Sequence, residues 1–282
     1  MNEPNCRRFT PRRTGRSFVS RLALTAMLVA VGLAASAGTA SSAEPTAEAL
    51  LDQYIEAMGG KEAFEKVDNR VIRGKLVVAA QGVEMNLTMY SARPNLSYML
   101  IESEMTGKIE KGSDGEVYWE NSAMAGAQVK EGQERTDYLR ESVFDKWLYW
   151  RELYPEVEYA GSETLAEIPV HKVVVTPEDG KPQTLFLDQE SNLAVRVDMV
   201  VETPMGIFPV ISYMSDYREI DGILIPHMME VEIMGQKREV LTESVEHNVE
   251  LPADRFALPT EIRSILEQQA GDAAAEVEST NE

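Results

Sequence analysis

Three histidines are the residues from which acid–base or metal chemistry would be built, and they stand far apart as His171, His227 and His247. Nucleophilic hydrolysis needs an activated Ser, Cys or Thr beside a base. No G-x-S-x-G elbow occurs, and the single cysteine is Cys6. Each histidine lies in or beside an alternating stretch without a signature around it, so packing or surface histidines are expected. There is no H-E-x-x-H and no pair of Cys or His at ligand spacing. Asp188-Gln189-Glu190-Ser191-Asn192 alternates oxygen ligands like the start of a calcium loop, but it lacks the glycine and closing glutamate of that pattern, and a turn between strands explains it better. With 47 acidic residues no carboxylate pair can be singled out for glycoside chemistry. There is no glycine-rich phosphate loop. Asn86-Leu87-Thr88 and Asn95-Leu96-Ser97 match the glycosylation acceptor pattern. No catalytic residue, cofactor or metal site is assigned.

What the chain does hold is soft apolar groups. It has 14 methionines, with Met85, Met89, Met99, Met105, Met124, Met199, Met205, Met214, Met228, Met229 and Met234 on or near expected strands. Unbranched thioethers adapt to irregular partners. They suit a cavity with variable contents, and they equally suit an ordinary core.

The elements that must position these groups are read from periodicity. Ala47, Leu50, Leu51, Tyr54, Ile55 and Met58 recur at helical spacing after Thr46, and Gly59-Gly60 closes that helix. A short second helix is expected from Lys61 to Val67. From Arg70 the period becomes two. Val83, Met85, Leu87 and Met89 alternate with polar residues after a Gln81-Gly82 turn, as do Leu193, Val195, Val197, Met199 and Val201, and then Met229, Val231 and Ile233. Turn signals at Asp114-Gly115, Asp179-Gly180, Ser191-Asn192, Asp221-Gly222 and Gly235-Gln236 divide an antiparallel meander of about ten or eleven strands. One helix from Asp137 to Tyr154 interrupts it, with Leu139, Val143, Trp147, Trp150 and Tyr154 on one face beside Phe144 and Leu148. A sheet with one apolar face and about three helices to cover it makes a mainly β, α+β fold, a curved sheet wrapped around the tryptophan-bearing helix. No internal repeat and no dividing linker is seen.

Residues 1–43 read as a cleavable signal peptide. Six arginines in the first 21 residues face one acid, Glu3, and an apolar run follows from Leu22 to Ala35. That run is about 14 residues, short of the roughly 20 that span a bilayer, so no permanent membrane anchor is expected. Cleavage after Ala43 fits the small-x-small rule, with Ala37 as the alternative, and no cysteine follows for a lipid anchor. Removal would leave 21 basic against 46 acidic residues, a net charge of about −25. Nucleic acid is therefore excluded as a partner. The mature chain would hold no thiol. A domain is expected over 44–266, followed by an acidic, solvated and disordered tail over 267–282 without aromatic or basic residues.

Several phrases match a known family. They are Tyr54-Ile55-Glu56-Ala57-Met58-Gly59-Gly60-Lys61-Glu62-Ala63, then Arg73-Gly74-Lys75, Arg93-Pro94-Asn95, Ser113-Asp114-Gly115 with Trp119, and Phe144 before Trp147–Trp150. Near the end come Asp216-Tyr217-Arg218-Glu219-Ile220-Asp221-Gly222-Ile223-Leu224-Ile225-Pro226 and Leu251-Pro252-Ala253-Asp254-Arg255-Phe256. Over roughly 46–259, in this order, the chain resembles the LolA-like outer-membrane lipoprotein-sorting proteins. The resemblance implies an unclosed β-barrel with helices in its concave side and an apolar cavity for acyl chains, and relatives carry lipoproteins or lipids across the periplasm.

The expectation is a periplasmic or secreted, non-enzymatic carrier of lipoprotein acyl chains, lipid or another amphiphile, exchanging with a membrane-bound donor or acceptor protein. Candidate lining residues are Trp147, Trp150, Phe144, Val143, Met85, Leu87, Met89, Val195, Val197, Met199, Val231 and Ile233. Two alternatives stay open. One is an exported interaction module whose core is filled. The other is an enzyme of a class without a short motif.

Overall fold

The computed structural model describes residues 44–104, 107–203 and 206–280; the expected signal peptide lies outside them. The helical period after Thr46 gives α1 (Ala47–Ala57), whose N-cap Thr46 accepts a hydrogen bond from the Ala49 amide. Gly59 and Gly60, both at positive φ, end it. A Cβ on Gly59 would lie 2.1 Å from the Gly222 carbonyl oxygen, so only glycine permits this approach. α2 (Lys61–Phe64) follows and leads into the sheet.

Thirteen strands form one antiparallel sheet: β1 (Asn69–Val78), β2 (Val83–Ala92), β3 (Leu96–Ser103), β4 (Gly107–Ser113), β5 (Tyr118–Ser122), β6 (Gly126–Lys130), β7 (Glu156–Leu165), β8 (Ile168–Thr176), β9 (Gln183–Asp188), β10 (Ala194–Thr203), β11 (Gly206–Ile220), β12 (Ile223–Ile233) and β13 (Gln236–His247). This exceeds the ten or eleven expected. The extra strands are short ones such as β5 and β6, whose polar residues hide the alternation. The order runs β6-β5-β4-β3-β2-β1-β13-β12-β11-β10-β9-β8-β7. Because β6 and β7 are the two edges and do not pair with each other, the barrel is unclosed.

This order explains the helical interruption. The chain walks from β1 out to one edge, must cross to the other, and then walks back to β13 beside β1. The crossing is α3 (Gly132–Glu141), a 3₁₀ turn at Lys146–Tyr149, and α4 (Trp150–Leu153). The single helix expected over Asp137–Tyr154 is thus corrected to three pieces. Its break is at Asp145, held at φ 51°. There the Phe144 amide donates to the Pro94 carbonyl at 2.9 Å rather than to a carbonyl one helical turn back. Arg70 also pairs with Asp145 at 3.0 Å. Tertiary partners override helix propensity.

Bulges bend the sheet at Arg73/Gly74, Ala194/Arg196 and Tyr159/Ser162. Two clusters make the core. In the first, Leu50, Leu51 and Tyr54 of α1 meet Trp150, Tyr154, Val173, Val175, Leu185, Leu187 and Ala194. In the second, Phe64, Val67 and Phe144 meet Ile223 and Ile225. Into the stretch expected as a tail the chain continues as a helix, α5 (Thr260–Thr280), whose residues 267–273 are exposed. Alanine and glutamate favour helix even where a segment lacks aromatic residues to bury.

Candidate functional site

The crossing segment divides the concave side of the sheet into three neighbouring cavities. A methionine cavity of about 330 Å³ is lined by Ile72, Met89 and Met99 of β1–β3 and by Val143 and Phe144 of the crossing. A tryptophan cavity of about 290 Å³ is lined by Tyr54, Met58, Trp147, Leu148, Met214 and Ile225, among others. A third, of about 240 Å³, lies between Lys111 of β4 and Met199 and Val201 of β10, beside Tyr138 and Arg140 of α3. Glu141 lines all three. Small-molecule sites usually span about 300–1,000 Å³, so each of these is at or below the small end. A ligand with a long tail would occupy more than one.

Register places the methionine wall. Lys111 pairs with Met99, Met99 with Met89, and Met89 with Ile72, in one row across four strands. Trp147 is fixed by Tyr154, stacked at 5.6 Å, and by Tyr54, edge-on at 6.0 Å. Phe144 is held between two guanidinium groups, with Arg70 Cζ 5.2 Å and Arg93 Cζ 5.1 Å from its ring centroid. Arg93 also donates through Nε to the Val67 carbonyl and through Nη2 to the Phe64 carbonyl, both at 2.9 Å. These contacts pin the crossing to α2 and the β2–β3 turn.

The electrostatics of this interior were not legible in the sequence. Burial pushes the Asp145 carboxyl above its ordinary value despite the opposing charges of Arg70 and Arg93. For Glu141 burial pushes the same way, yet the neighbouring Lys146 ammonium and a hydrogen bond from Gln183 Nε2 at 2.7 Å hold it below its ordinary value. Lys146 is raised in turn, the Glu141 charge outweighing its burial. Charged groups on the inner face carry no pattern of their own along the chain, so only the register reveals them.

The candidate residues are dispersed. Met89, Val143 and Phe144 line the methionine cavity, Val143 and Trp147 the tryptophan cavity, and Met199 the third. Trp150, only 4 % exposed, belongs to the packed core, and Val197 packs against it. Met85 and Leu87 are buried on β2. Val195 is displaced by the bulge between Ala194 and Arg196 and faces a separate cavity with Leu165, Ile168 and Leu193. Ala194 takes the inner position that strict alternation would give Val195. Val231 and Ile233 are half-buried on β12, paired with Ser212 and Val210, and line none of the three cavities.

The histidines do not converge. His171 Nδ1 contacts Ser162 Oγ at 3.1 Å and Tyr159 Oη at 3.2 Å on β7–β8. His227 Nδ1 lies 3.0 Å from the Ile225 carbonyl. His247 Nε2 accepts from Arg70 Nε at 2.9 Å, and its Nδ1 contacts Asp221 at 3.0 Å. Among the described residues no carboxylate hydrogen-bonds the His171 ring, the orienting partner found in a Ser-His-Asp triad. Among the described residues no group of three His, Cys, Asp or Glu is placed to hold a metal ion. No helix among them is long and apolar enough to cross a membrane.

Solved structures share this fold. A DUF1329 family protein from Desulfovibrio piger is 14% identical, with a TM-score of 0.53 over 74% of this chain and 96% of its own. A putative outer membrane lipoprotein-sorting protein domain from Vibrio parahaemolyticus is also 14% identical, with a TM-score of 0.53 over 75% and 97%. A LolA superfamily protein from Nitrosomonas europaea is 12% identical, with a TM-score of 0.51 over 76% and 98%. No family model matches the sequence, and no curated protein does. The fold is therefore one these proteins share, an unclosed antiparallel β-barrel around helices.

Proposed function

We propose that this chain is an exported, non-enzymatic carrier that shelters the apolar part of an amphiphile on the concave side of its sheet. The observation that carries the reading is unfilled space beside a packed core, walled by Met89, Met99, Met199, Met214 and Trp147. Flexible thioethers reshape around an acyl chain at little cost. Burial of each methylene contributes about 0.8 kcal/mol, so a tail bound along this wall needs no specific polar contact. The fold shared with a putative lipoprotein-sorting domain supports the same class of cargo, lipid or lipoprotein acyl chains. A signal peptide over 1–43, without a permanent membrane anchor, would release the carrier into the periplasm, where a membrane-bound donor or acceptor protein would load or unload it.

Native mass spectrometry of protein purified from its own host tests this. The expected spectrum shows an added mass that tandem fragmentation identifies as an acylated species. A clean apo mass, together with no saturable uptake of a fluorescent acyl probe, would favour a filled interaction module instead.

A further inference from the structure

Lys111 is anomalous among the charged groups on the inner face. Every acid lining its cavity is engaged: Glu134 with Lys130 at 3.1 Å, Asp137 with Arg140, Glu141 with Lys146 and Gln183, and Glu202 with Lys181 at 3.9 Å. Glu120, its cross-strand partner, takes a hydrogen bond from Tyr118 and an ion pair from Lys130 at 3.3 Å. The Lys111 ammonium makes no side-chain hydrogen bond or ion pair among the described residues. Burial pulls its pKa down, Glu120 draws it up, and the charges of Arg238 and Lys130 pull it down again, with a net lowering. An ammonium desolvated beside two other cations is unfavourable unless an anion meets it. Two more polar atoms of this cavity's lining, Arg140 Nε and Gln183 Oε1, are buried without a hydrogen-bond partner among the described residues.

The row that begins at Lys111 is apolar beyond it, running through Met99 and Met89 to Ile72. Three strand spacings make that row about 14 Å long. At about 1.2 Å per bond this is the reach of an extended chain of roughly a dozen carbons. The Lys111 cavity and the methionine cavity share Tyr138 and Glu141, so a head in one and a tail in the other are neighbours.

We propose that Lys111 binds the anionic headgroup, carboxylate or phosphate, of a single-chain amphiphile whose tail lies along Met99, Met89 and Ile72. The inference rests on the carrier reading and names its class of cargo. Gln183 Oε1 is available to a hydroxyl of the headgroup. The chain as a whole is acidic, so selection for an anion has to come from the cavity's own groups, Lys111 first and the unpartnered Arg140 Nε beside it, and not from the general field.

Calorimetric titration of the full chain with four twelve-carbon probes tests it: laurate, dodecyl phosphate, dodecanol and dodecyltrimethylammonium. The two anions are expected to bind about tenfold or more tighter than dodecanol, as a charge-assisted hydrogen bond would give, and the cation is expected to bind weakest. A preference for laurate alone or for dodecyl phosphate alone identifies the headgroup, and both support the assignment. Lys111→Gln and Lys111→Met should erase the anion preference, leave dodecanol affinity unchanged and not lower the melting temperature. Equal binding of anion and alcohol, tighter binding of the cation, or an anion preference that survives both substitutions overturns the headgroup site while leaving the carrier standing. Failure of dodecanol and of every other probe to bind the unmodified protein defeats the carrier reading, and this inference with it.

Discussion

The two halves of the concave surface solve the same packing problem with different side chains. Under α1 and α4 the strands β8 and β9 present Val173, Val175, Leu185 and Leu187, all of them fully buried. On β1–β3 the facing positions are Ile72, Met89 and Met99, half-buried around an unfilled space. Both halves alternate along the chain with the same period. The difference lies in stiffness: branched side chains in few rotamers fill the first half, while unbranched thioethers wall the second. One half is scaffold and the other is adaptable surface.

The largest effect is expected where the scaffold is cut. Leu51→Ala, at a fully buried position against Trp150 and Val173, should cost about 2–5 kcal/mol of unfolding free energy, measured by denaturant titration. Met99→Ala, across the divide, should cost about 1 kcal/mol or less because the site is half open. It should instead weaken binding of an acyl probe. Equal stability losses at the two positions would erase the contrast.

Second in size is the pin between the halves. Asp145→Ala leaves Arg70 and Arg93 facing Phe144 without their shared carboxylate, at a cost of about 3 kcal/mol. The loss sits at the low end for a buried pair because burial already works against the ionised Asp145. Hydrogen exchange should report faster opening of residues 142–149 with α1 still protected.

A smaller effect is tied to pH. Glu141 is held below its ordinary value near 4.5 in the folded chain, so the unfolded chain takes up its proton first as acid is added. Its stabilising contribution is present above that value and is lost as pH falls through and below it. Glu141→Gln should flatten this acid limb of a melting-temperature profile. An unchanged limb would mean that Lys146 and Gln183 do not hold the carboxylate. Asp145 runs the opposite way, its folded value being raised, and offsets part of the slope.

Much of the scaffold was legible because its signals are local. Thr46, the spacing of Leu50, Leu51 and Tyr54, and Gly59-Gly60 delimit α1 within a single segment, and Val83 to Tyr90 alternates as β2 does. The adaptable half was legible only in part. Met89 and Met199 were visible as soft groups on strands, yet their cavities depend on where the crossing segment lies. That segment breaks at Asp145 because Arg70, 75 residues earlier, reaches it, a contact no window of sequence contains. The bulge that turns Val195 aside depends likewise on its register with β9. Lys111 sits among Glu110, Gly112 and Ser113, where nothing marks it as facing inward.

The claim that one half is an acyl-binding wall meets its most direct test in the saturable binding of dodecanol to the unmodified chain and to Met89→Glu, read by calorimetry with melting temperature as a control. The expected result is saturable binding to the unmodified chain that is abolished by the buried charge at Met89, with folding retained. Absence of binding in the unmodified chain, or undiminished binding in a folded Met89→Glu, would contradict it.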